Sequence, residues 1–190
     1  MAILLLGVVL WTVVHLYPSL APAQRAAFVS EYGEKPVKGA VALLLIMALA
    51  LIVIGWQRMF FTGGNIYFPP RWGWHLNNLL MLVAFVLLGA GHSKSNIRRF
   101  VRHPMLAAVI LWAVAHLLAN GETRSVILFG GMLVWGVLAI VLINRRDGAW
   151  VVPPPSPRRT DLIHLGVSVV LFLVVAFIHP WLFGVSPWPV

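Results

Sequence analysis

The sequence predicts an all-α protein, a polytopic transmembrane bundle of about six helices. Hydrophobic residues make up 61% of the 190-residue chain and charged residues only 10%, and the mean hydropathy is +0.91. A soluble domain needs roughly a quarter charged residues to cover its surface, so most of this surface must face lipid. Six apolar stretches, each near the ~20 residues that a bilayer requires, supply the predicted helices.

The six predicted spans follow one another along the chain, and no loop has room for a soluble domain. The first and fourth spans are short, so helix ends or tilt must complete their crossing. A signal peptide is the rival interpretation of the first span. No basic segment precedes it and five more spans follow, so we expect a retained helix and one transmembrane domain over residues 1–190. The spans cover residues 2–17, 37–56, 74–91, 105–119, 126–143 and 162–183.

The longest predicted loops cover residues 18–36, 57–73 and 144–161. The last of them contains a Pro-Pro-Pro-Ser-Pro run at residues 153–157, which predicts a stiff, extended spacer because proline cannot continue a helix. The second contains Gly-Gly and Pro-Pro pairs, which predict turns. These segments are therefore expected to connect helices rather than to form a separate unit.

The distribution of basic residues predicts the orientation. The first, third and fifth loops carry 11 of the 14 Lys and Arg residues, and the second and fourth carry only Arg58, Arg71 and Arg124. Cytoplasmic loops are enriched in Lys and Arg, so both termini are expected outside the cytoplasm, in a multi-pass protein of the cell inner (cytoplasmic) membrane. The same residues give the net charge of +9, which we assign to topology and contact with the lipid bilayer and not to nucleic acid.

Histidines are the ionisable groups that remain for chemistry. The chain has no cysteine, which excludes disulfides, thiolate metal sites and a cysteine nucleophile. Coupled transporters usually need a carboxylate inside the membrane, but all five acids lie in loops or at helix edges. These acids are Glu31, Glu34, Glu122, Asp147 and Asp161.

Two of the seven histidines lie deep inside apolar spans. His92, His164 and His179 lie at span ends, where an interfacial position without a special task is expected. His15 and His116 instead must find a partner within the membrane. Ionisable groups there are functional candidates by default, so these two histidines are the leading candidates for metal ligands.

Each deep histidine follows a tryptophan by four residues, Trp11 before His15 and Trp112 before His116. This spacing puts each pair on one helix face and suits a flat aromatic ligand, with imidazole on its metal and indole against its ring. Ordinary packing is the alternative, because the chain has nine tryptophans. At 1.5 Å per residue the two imidazoles differ by about 8 Å in depth within a ~30 Å core, which allows a tilted porphyrin.

A basic rim precedes the fourth span. Pro104 suits the first turn of that helix, where its missing N–H costs nothing, and Arg102 and His103 come directly before it. Together with Arg98 and Arg99, Arg102 could grip an anionic group such as a haem propionate, a lipid headgroup or a cofactor carboxylate. A juxtamembrane basic cluster without a ligand is the simpler explanation from charge alone.

These motifs resemble the NnrU family, and the six-span layout extends the resemblance over nearly the whole chain. Its most specific element is Arg-His-Pro followed by a second histidine thirteen residues after the first. NnrU proteins are associated with nitric oxide and nitrite metabolism in denitrifying bacteria. The matching positions are residues 102–105, Trp112, residues 115–118, residues 120–121, His15, residues 18–19 and Arg25.

Two relatives of the family imply different chemistries. Plant 15-cis-zeta-carotene isomerase is similar to NnrU proteins and is a haem b enzyme, whose ligand histidines would correspond to His15 and His116. Ala113 stands where that enzyme has a cysteine implicated in a redox ligand switch, which puts the isomerase activity in doubt. Methyltransferases resembling isoprenylcysteine carboxyl methyltransferase share an Arg-His-Pro element at an S-adenosylmethionine pocket. The resemblance then implies that Arg102 contacts that cofactor, with Asp147 as the only candidate for their later acidic residue.

The leading hypothesis is a haem b-binding protein that acts in nitric oxide or denitrification metabolism or in a redox-gated, isomerase-like reaction. A respiratory or nitric oxide reductase is its expected partner. The alternatives are an S-adenosylmethionine-dependent membrane methyltransferase and a cofactor-free assembly factor for a respiratory reductase. The catalytic residues, and whether the chain is an enzyme, stay open. The candidate residues are His15 and His116 for the metal, and Trp11, Arg102, His103 and Trp112 for contact with the cofactor.

Overall fold

A computed structural model describes residues 1–59 and 64–188 of the chain. Within these ranges the chain forms α-helices and one short 3₁₀ helix, and its only β-structure is an isolated bridge between Asn65 and Glu122. The helices are α1 Ala2–Leu20, α2 Pro22–Tyr32, α3 Glu34–Arg58, α4 Arg71–His92, α5 Pro104–Ala119, α6 Thr123–Asp147 and α7 Arg158–Phe183, with the 3₁₀ helix at Asn96–Arg99.

Six of these helices coincide with the six predicted spans, which confirms the all-α transmembrane class. Five of them, α1, α3, α4, α6 and α7, are long and apolar enough to cross a membrane. The sixth, α5, is apolar but has only 16 residues, or about 24 Å at 1.5 Å per residue. The prediction that the fourth span is short is therefore confirmed. The orientation of the termini stays a prediction.

The interpretation of residues 18–36 as a loop was wrong. Helix α1 continues through Pro18 to Leu20, and α2 follows after one residue, with Pro22 in its first turn and Gly33 at its end with φ +86°. Proline suits a first turn and glycine suits a positive φ, so the boundaries of α2 agree with local rules. The helix has no buried residue, which is why a search for apolar stretches could not find it.

The helices are divided between two compact units. Unit 1 comprises Met1–Tyr67 and Glu122–Gly148, which carry α1, α2, α3 and α6, and unit 2 comprises Phe68–Gly121 and Ala149–Val190, which carry α4, α5 and α7. Each unit is thus built from two separate stretches of chain. The prediction of one transmembrane domain over residues 1–190 is not tested by this division and stays a prediction.

In unit 1, α1 packs against both α3 and α6. A side chain at Gly55 would meet the backbone of Leu4 at 2.5 Å, and one at Gly7 would meet the backbone of Ile52 at 2.7 Å. The two helix backbones are therefore in direct contact, as small residues allow in membranes. Leu4 is fully buried at this contact.

In unit 2, α4 packs against both α5 and α7. A side chain at Gly73 would collide with the carbonyl oxygen of Leu118, and one at Gly89 would lie 2.8 Å from the ring of His164. Asn78 donates from Nδ2 to the carbonyl of Pro187 (3.0 Å), so this amide ties α4 to the segment after α7.

Candidate functional site

His15 lies half-buried in α1, and its ring is anchored to its own helix. Its Nδ1 lies 2.9 Å from the carbonyl oxygen of Trp11. A carbonyl oxygen can only accept, so Nδ1 carries the hydrogen and donates. In a neutral imidazole the other nitrogen, Nε2, then keeps its lone pair, which is the atom and the state that a metal ion requires.

Two indoles enclose the His15 ring. The ring of Trp11 lies 4.3 Å away, centroid to centroid, at an interplanar angle of 38°. Trp135 on α6 lies 4.9 Å away at 61°, with its edge to the imidazole, and is only 6% exposed. The imidazole is thus held by a hydrogen bond and two aromatic contacts.

Trp135 is a residue that the sequence analysis missed. It lies 120 positions beyond His15 in the chain, so no helical spacing connects the two. Trp11 could be identified from its four-residue spacing to His15, whereas Trp135 reaches His15 only because α1 packs on α6. The indole N–H groups of Trp11 and Trp135 are both buried, and neither has a hydrogen-bond partner among the described residues.

His116 in α5 repeats the local arrangement of His15. Its Nδ1 donates to the carbonyl of Trp112 at 2.9 Å, and the Trp112 ring lies 5.3 Å away at 55°. Asn120 donates from its side chain to the carbonyl of His116 at 2.9 Å and closes the helix end. The predicted contact between histidine and tryptophan at four-residue spacing is therefore confirmed in both helices.

Arg102 and His103 lie half-buried just before α5. His103 is the residue before the first helical position, and its carbonyl accepts from the N–H of Ala107 at 2.9 Å. Pro104 begins the helix and is buried, which confirms its predicted place in the first turn. Arg102 and His103 as cofactor contacts stay predictions.

His164 was expected at the membrane interface, which stays a prediction, but within the protein it is buried against α4. The side chain is 6% exposed, and its Nε2 donates to the carbonyl of Val86 in α4 at 2.9 Å. Helix α7 begins at Arg158, one turn earlier than predicted, so His164 belongs to its second turn and faces α4. His179, by contrast, donates from Nδ1 to Val185, just beyond its own helix, at 2.8 Å.

Arg124 is a second residue that the sequence analysis missed. It was counted among the loop residues, but it lies in the first turn of α6 and is 7% exposed. Its guanidinium lies 4.5 Å from the ring centroid of Trp56 and 3.8 Å from Oε1 of Glu122, whose other oxygen accepts from Ser125 at 2.6 Å. Burial, with the charge of Glu122, raises the pKa of the nearby Tyr67. This cluster joins the start of α6 to α3.

No group of three or more His, Asp or Glu side chains suited to hold a metal ion occurs in the part of the chain that the structure describes. In His15 and His116 the Nδ1 atom is bonded to a backbone carbonyl, so a metal would bind either ring through Nε2. Their chemistry is that of neutral nitrogen ligands, which suit iron, copper and zinc.

The apolar helices define the class of this molecule, a multi-pass helical membrane protein. The chain matches the family model described as NnrU protein over residues 3–187. It therefore belongs to the NnrU family, and the resemblance drawn from its motifs is confirmed at that level. No curated protein and no solved structure matches the chain significantly. The relationships to the carotene isomerase and to the methyltransferases stay predictions.

Proposed function

We propose that this NnrU protein binds haem b, which His15 and His116 would hold through their Nε2 atoms. One observation carries the proposal: each imidazole donates from Nδ1 to the carbonyl four residues earlier, at 2.9 Å in both cases. Metal-binding histidines almost always donate their second ring N–H in this way, which fixes the ring and raises the basicity of the ligating nitrogen.

The side chains next to each histidine support the proposal. The indoles of Trp11 and Trp112 lie tilted beside the imidazoles and offer flat apolar surface, and we propose Arg102 and His103 as the polar groups for a propionate. Haem ligated by two imidazoles supplies one-electron transfer at a potential that the surrounding protein tunes. The chain's own part is to orient both rings and to keep Nε2 unprotonated.

We further propose a role in nitric oxide or nitrite metabolism, or in a redox-gated isomerisation, in the cell's inner membrane with a respiratory reductase as partner. Membership of the NnrU family supports this part of the proposal, together with the association of that family with denitrification.

The absorption spectrum of the purified protein tests the proposal. We expect a Soret band and, after reduction, the sharp visible bands of a low-spin centre. Replacing either ligand, as His15→Ala or His116→Ala, should convert the centre to high spin or remove the haem. The exposed His92 offers a matched control, because His92→Ala should keep the wild-type spectrum. A protein that stays colourless after expression with added haem would overturn the proposal.

Rescue by a small ligand separates ligation from folding. In a His116→Gly variant, free imidazole should enter the vacated position and restore the low-spin spectrum. The same addition to wild-type protein should change nothing. If His116→Gly keeps the low-spin spectrum without imidazole, His116 is not a ligand.

The two alternative functions stay predictions, and the same preparation tests them. A methyltransferase should gain thermal stability with S-adenosylmethionine, and Arg102→Ala should abolish that gain. An assembly factor should co-purify with a reductase and carry no cofactor. Haem stoichiometry near one per chain, without a response to S-adenosylmethionine, would argue against both.

A further inference from the structure

Two segments of unit 2 are joined into one surface. Asn96 donates from its backbone N–H to Oδ1 of Asp161 at 2.8 Å and from Nδ2 to Oδ2 at 2.6 Å. The same Nδ2 donates to the carbonyl of Ser156 at 2.9 Å, and the N–H of Ser156 donates to Oδ1 of Asn96 at 2.8 Å. Arg99 adds a bond to the carbonyl of Pro153 at 3.2 Å. Residues 93–103 and 149–161 are therefore held together, and we call this surface the basic platform.

The basic platform carries a strong excess of positive charge. It contains six Lys or Arg residues and a single acid, Asp161. Both carboxylate oxygens of Asp161 accept hydrogen bonds from Asn96, so this acid is committed to joining the segments. The cations are Lys94, Arg98, Arg99, Arg102, Arg158 and Arg159.

Large apolar side chains stand among these cations. Phe100 is 81% exposed and Val151 is 87% exposed. Exposed apolar side chains are unfavourable on a charged surface that faces water. Aromatic and apolar groups are favoured at the headgroup level of a bilayer. The basic platform is therefore amphipathic.

A small groove lies beneath Phe100, with a volume of about 280 Å³. Its apolar walls come from Val86 of α4, Ile97 of the 3₁₀ helix and Leu165 of α7. His164 also lines it, and its Nε2 is already bonded to the carbonyl of Val86. The volume is below the ~300–1,000 Å³ of typical ligand pockets, but an open apolar groove of this size suits part of a hydrocarbon chain.

We propose that the basic platform binds an anionic phospholipid, with its arginines on the phosphate and with Phe100 and the groove on the upper part of an acyl chain. Guanidinium groups bind phosphate through paired N–H donors, and basic segments next to membrane spans attract anionic lipid. The exposed apolar residues favour a lipid over a soluble anion. The site shares Arg102 and His103 with the haem proposal but uses neither His15 nor His116, and its test replaces only Arg158 and Arg159, which the haem proposal does not use.

Native mass spectrometry and thermal unfolding of the full chain test this site. In nanodiscs of phosphatidylcholine with added phosphatidylglycerol, we expect a higher unfolding temperature than in phosphatidylcholine alone. The detergent-purified protein should retain phosphatidylglycerol preferentially. Arg158→Gln with Arg159→Gln should remove most of this preference. Both side chains are exposed in the first turn of α7, where losing positive charge does not harm a helix.

A second double variant controls for overall charge. Lys35→Gln with Arg145→Gln removes the same charge from exposed positions of unit 1 and should keep the lipid preference. Phe100→Ser should weaken retention of both lipids. Equal loss in both double variants would overturn the proposal, as would a wild-type protein without lipid preference. Equal stabilisation by inorganic phosphate alone would overturn the assignment to lipid.

Discussion

A histidine in an apolar helix has two ring nitrogens to satisfy and few partners within reach. In both deep histidines of this chain, Nδ1 finds its partner within the same helix. It donates to the carbonyl of Trp11 in His15 and to that of Trp112 in His116. The cost of an unpaired polar group in an apolar medium is a few kcal/mol, about 1–3 by mutational data. These two hydrogen bonds avoid that cost for Nδ1, and the proposed ligation would use Nε2.

Trp135 is expected to hold the His15 ring by shape and not by hydrogen bonding. Its indole N–H is buried without a partner among the described residues, so Trp135→Phe loses no bond and should cost less than about 1.5 kcal/mol. Trp135→Ala leaves a cavity against the imidazole and should cost about 3–5 kcal/mol. Unfolding in detergent measures the difference.

The spectrum of bound haem adds a second measure of the same pair of variants. Trp135→Ala should broaden or shift the low-spin bands, because the imidazole of His15 would lose one of its two aromatic contacts. Trp135→Phe should leave them close to wild type. Equal effects of the two substitutions on stability would contradict the packing role.

Arg124 should contribute to stability through the Trp56 ring and Glu122. A buried ion pair that loses one partner typically costs about 3–5 kcal/mol. The Glu122 side chain is 37% exposed, and solvent screening reduces this cost, so we expect about 2 kcal/mol for Arg124→Ala. Arg124→Lys should recover only part of this lost stability, because lysine keeps the positive charge but lacks the planar guanidinium.

The matched control for Arg124 is Arg71, which is exposed at the start of α4. Arg71→Ala should change the free energy of unfolding by no more than about 0.5 kcal/mol. Comparable losses from the two arginines would contradict the contribution of the buried cluster.

At the scale of helices, glycine decides how closely α1 approaches α3. Gly55→Ala should force the backbones apart, because the added carbon would lie within 2.5–2.8 Å of Leu4. We expect a loss of about 1–3 kcal/mol, the usual cost of overpacking. Thermal unfolding of the purified protein in detergent measures it.

Gly130 provides the control within the same unit. It lies in α6, and a carbon added there would meet nothing within 4 Å. Gly130→Ala should therefore be neutral or raise stability by up to about 1 kcal/mol, because alanine favours the helix more than glycine does. A large loss of stability from Gly130→Ala, or none from Gly55→Ala, would contradict the role of Gly55 in close contact between the helices.

Helix α2 shows what an element-scale search for apolar stretches misses. Its residues form a regular helix between Pro22 and Gly33, but they bury nothing, and their apolar run covers only residues 26–29, far short of the ~20 residues of a span. Capping signals could have found it, since proline at a first turn and glycine after a last turn are helix boundaries. The six spans were predictable because lipid demands long apolar helices with internally satisfied backbones.

At the scale of the whole molecule, the orientation of the termini can be tested by cysteine labelling. The chain has no cysteine of its own, so a single introduced thiol is a unique label. Ser186→Cys, after α7, should react with a membrane-impermeant maleimide in intact cells. Ser30→Cys, in α2, should react only after the membrane is opened. Both positions are exposed, so the reverse pattern would invert the predicted topology.

The sequence by itself determined the features that depend on composition or on residues close together in the chain. They include the apolar spans, the missing cysteine, the proline at the start of α5 and the contact of His15 with Trp11. Such features form whenever the local helix forms, so they could be read before the fold was known.

Only the tertiary structure decided which distant residues meet. Trp135 lies against His15, Arg124 against Trp56, and Asn96 against Asp161, 65 positions away. These contacts depend on how far each helix is rotated about its axis and on where its first turn begins. His164 shows the same dependence, since it is buried against α4, and no periodicity in the sequence specifies such contacts.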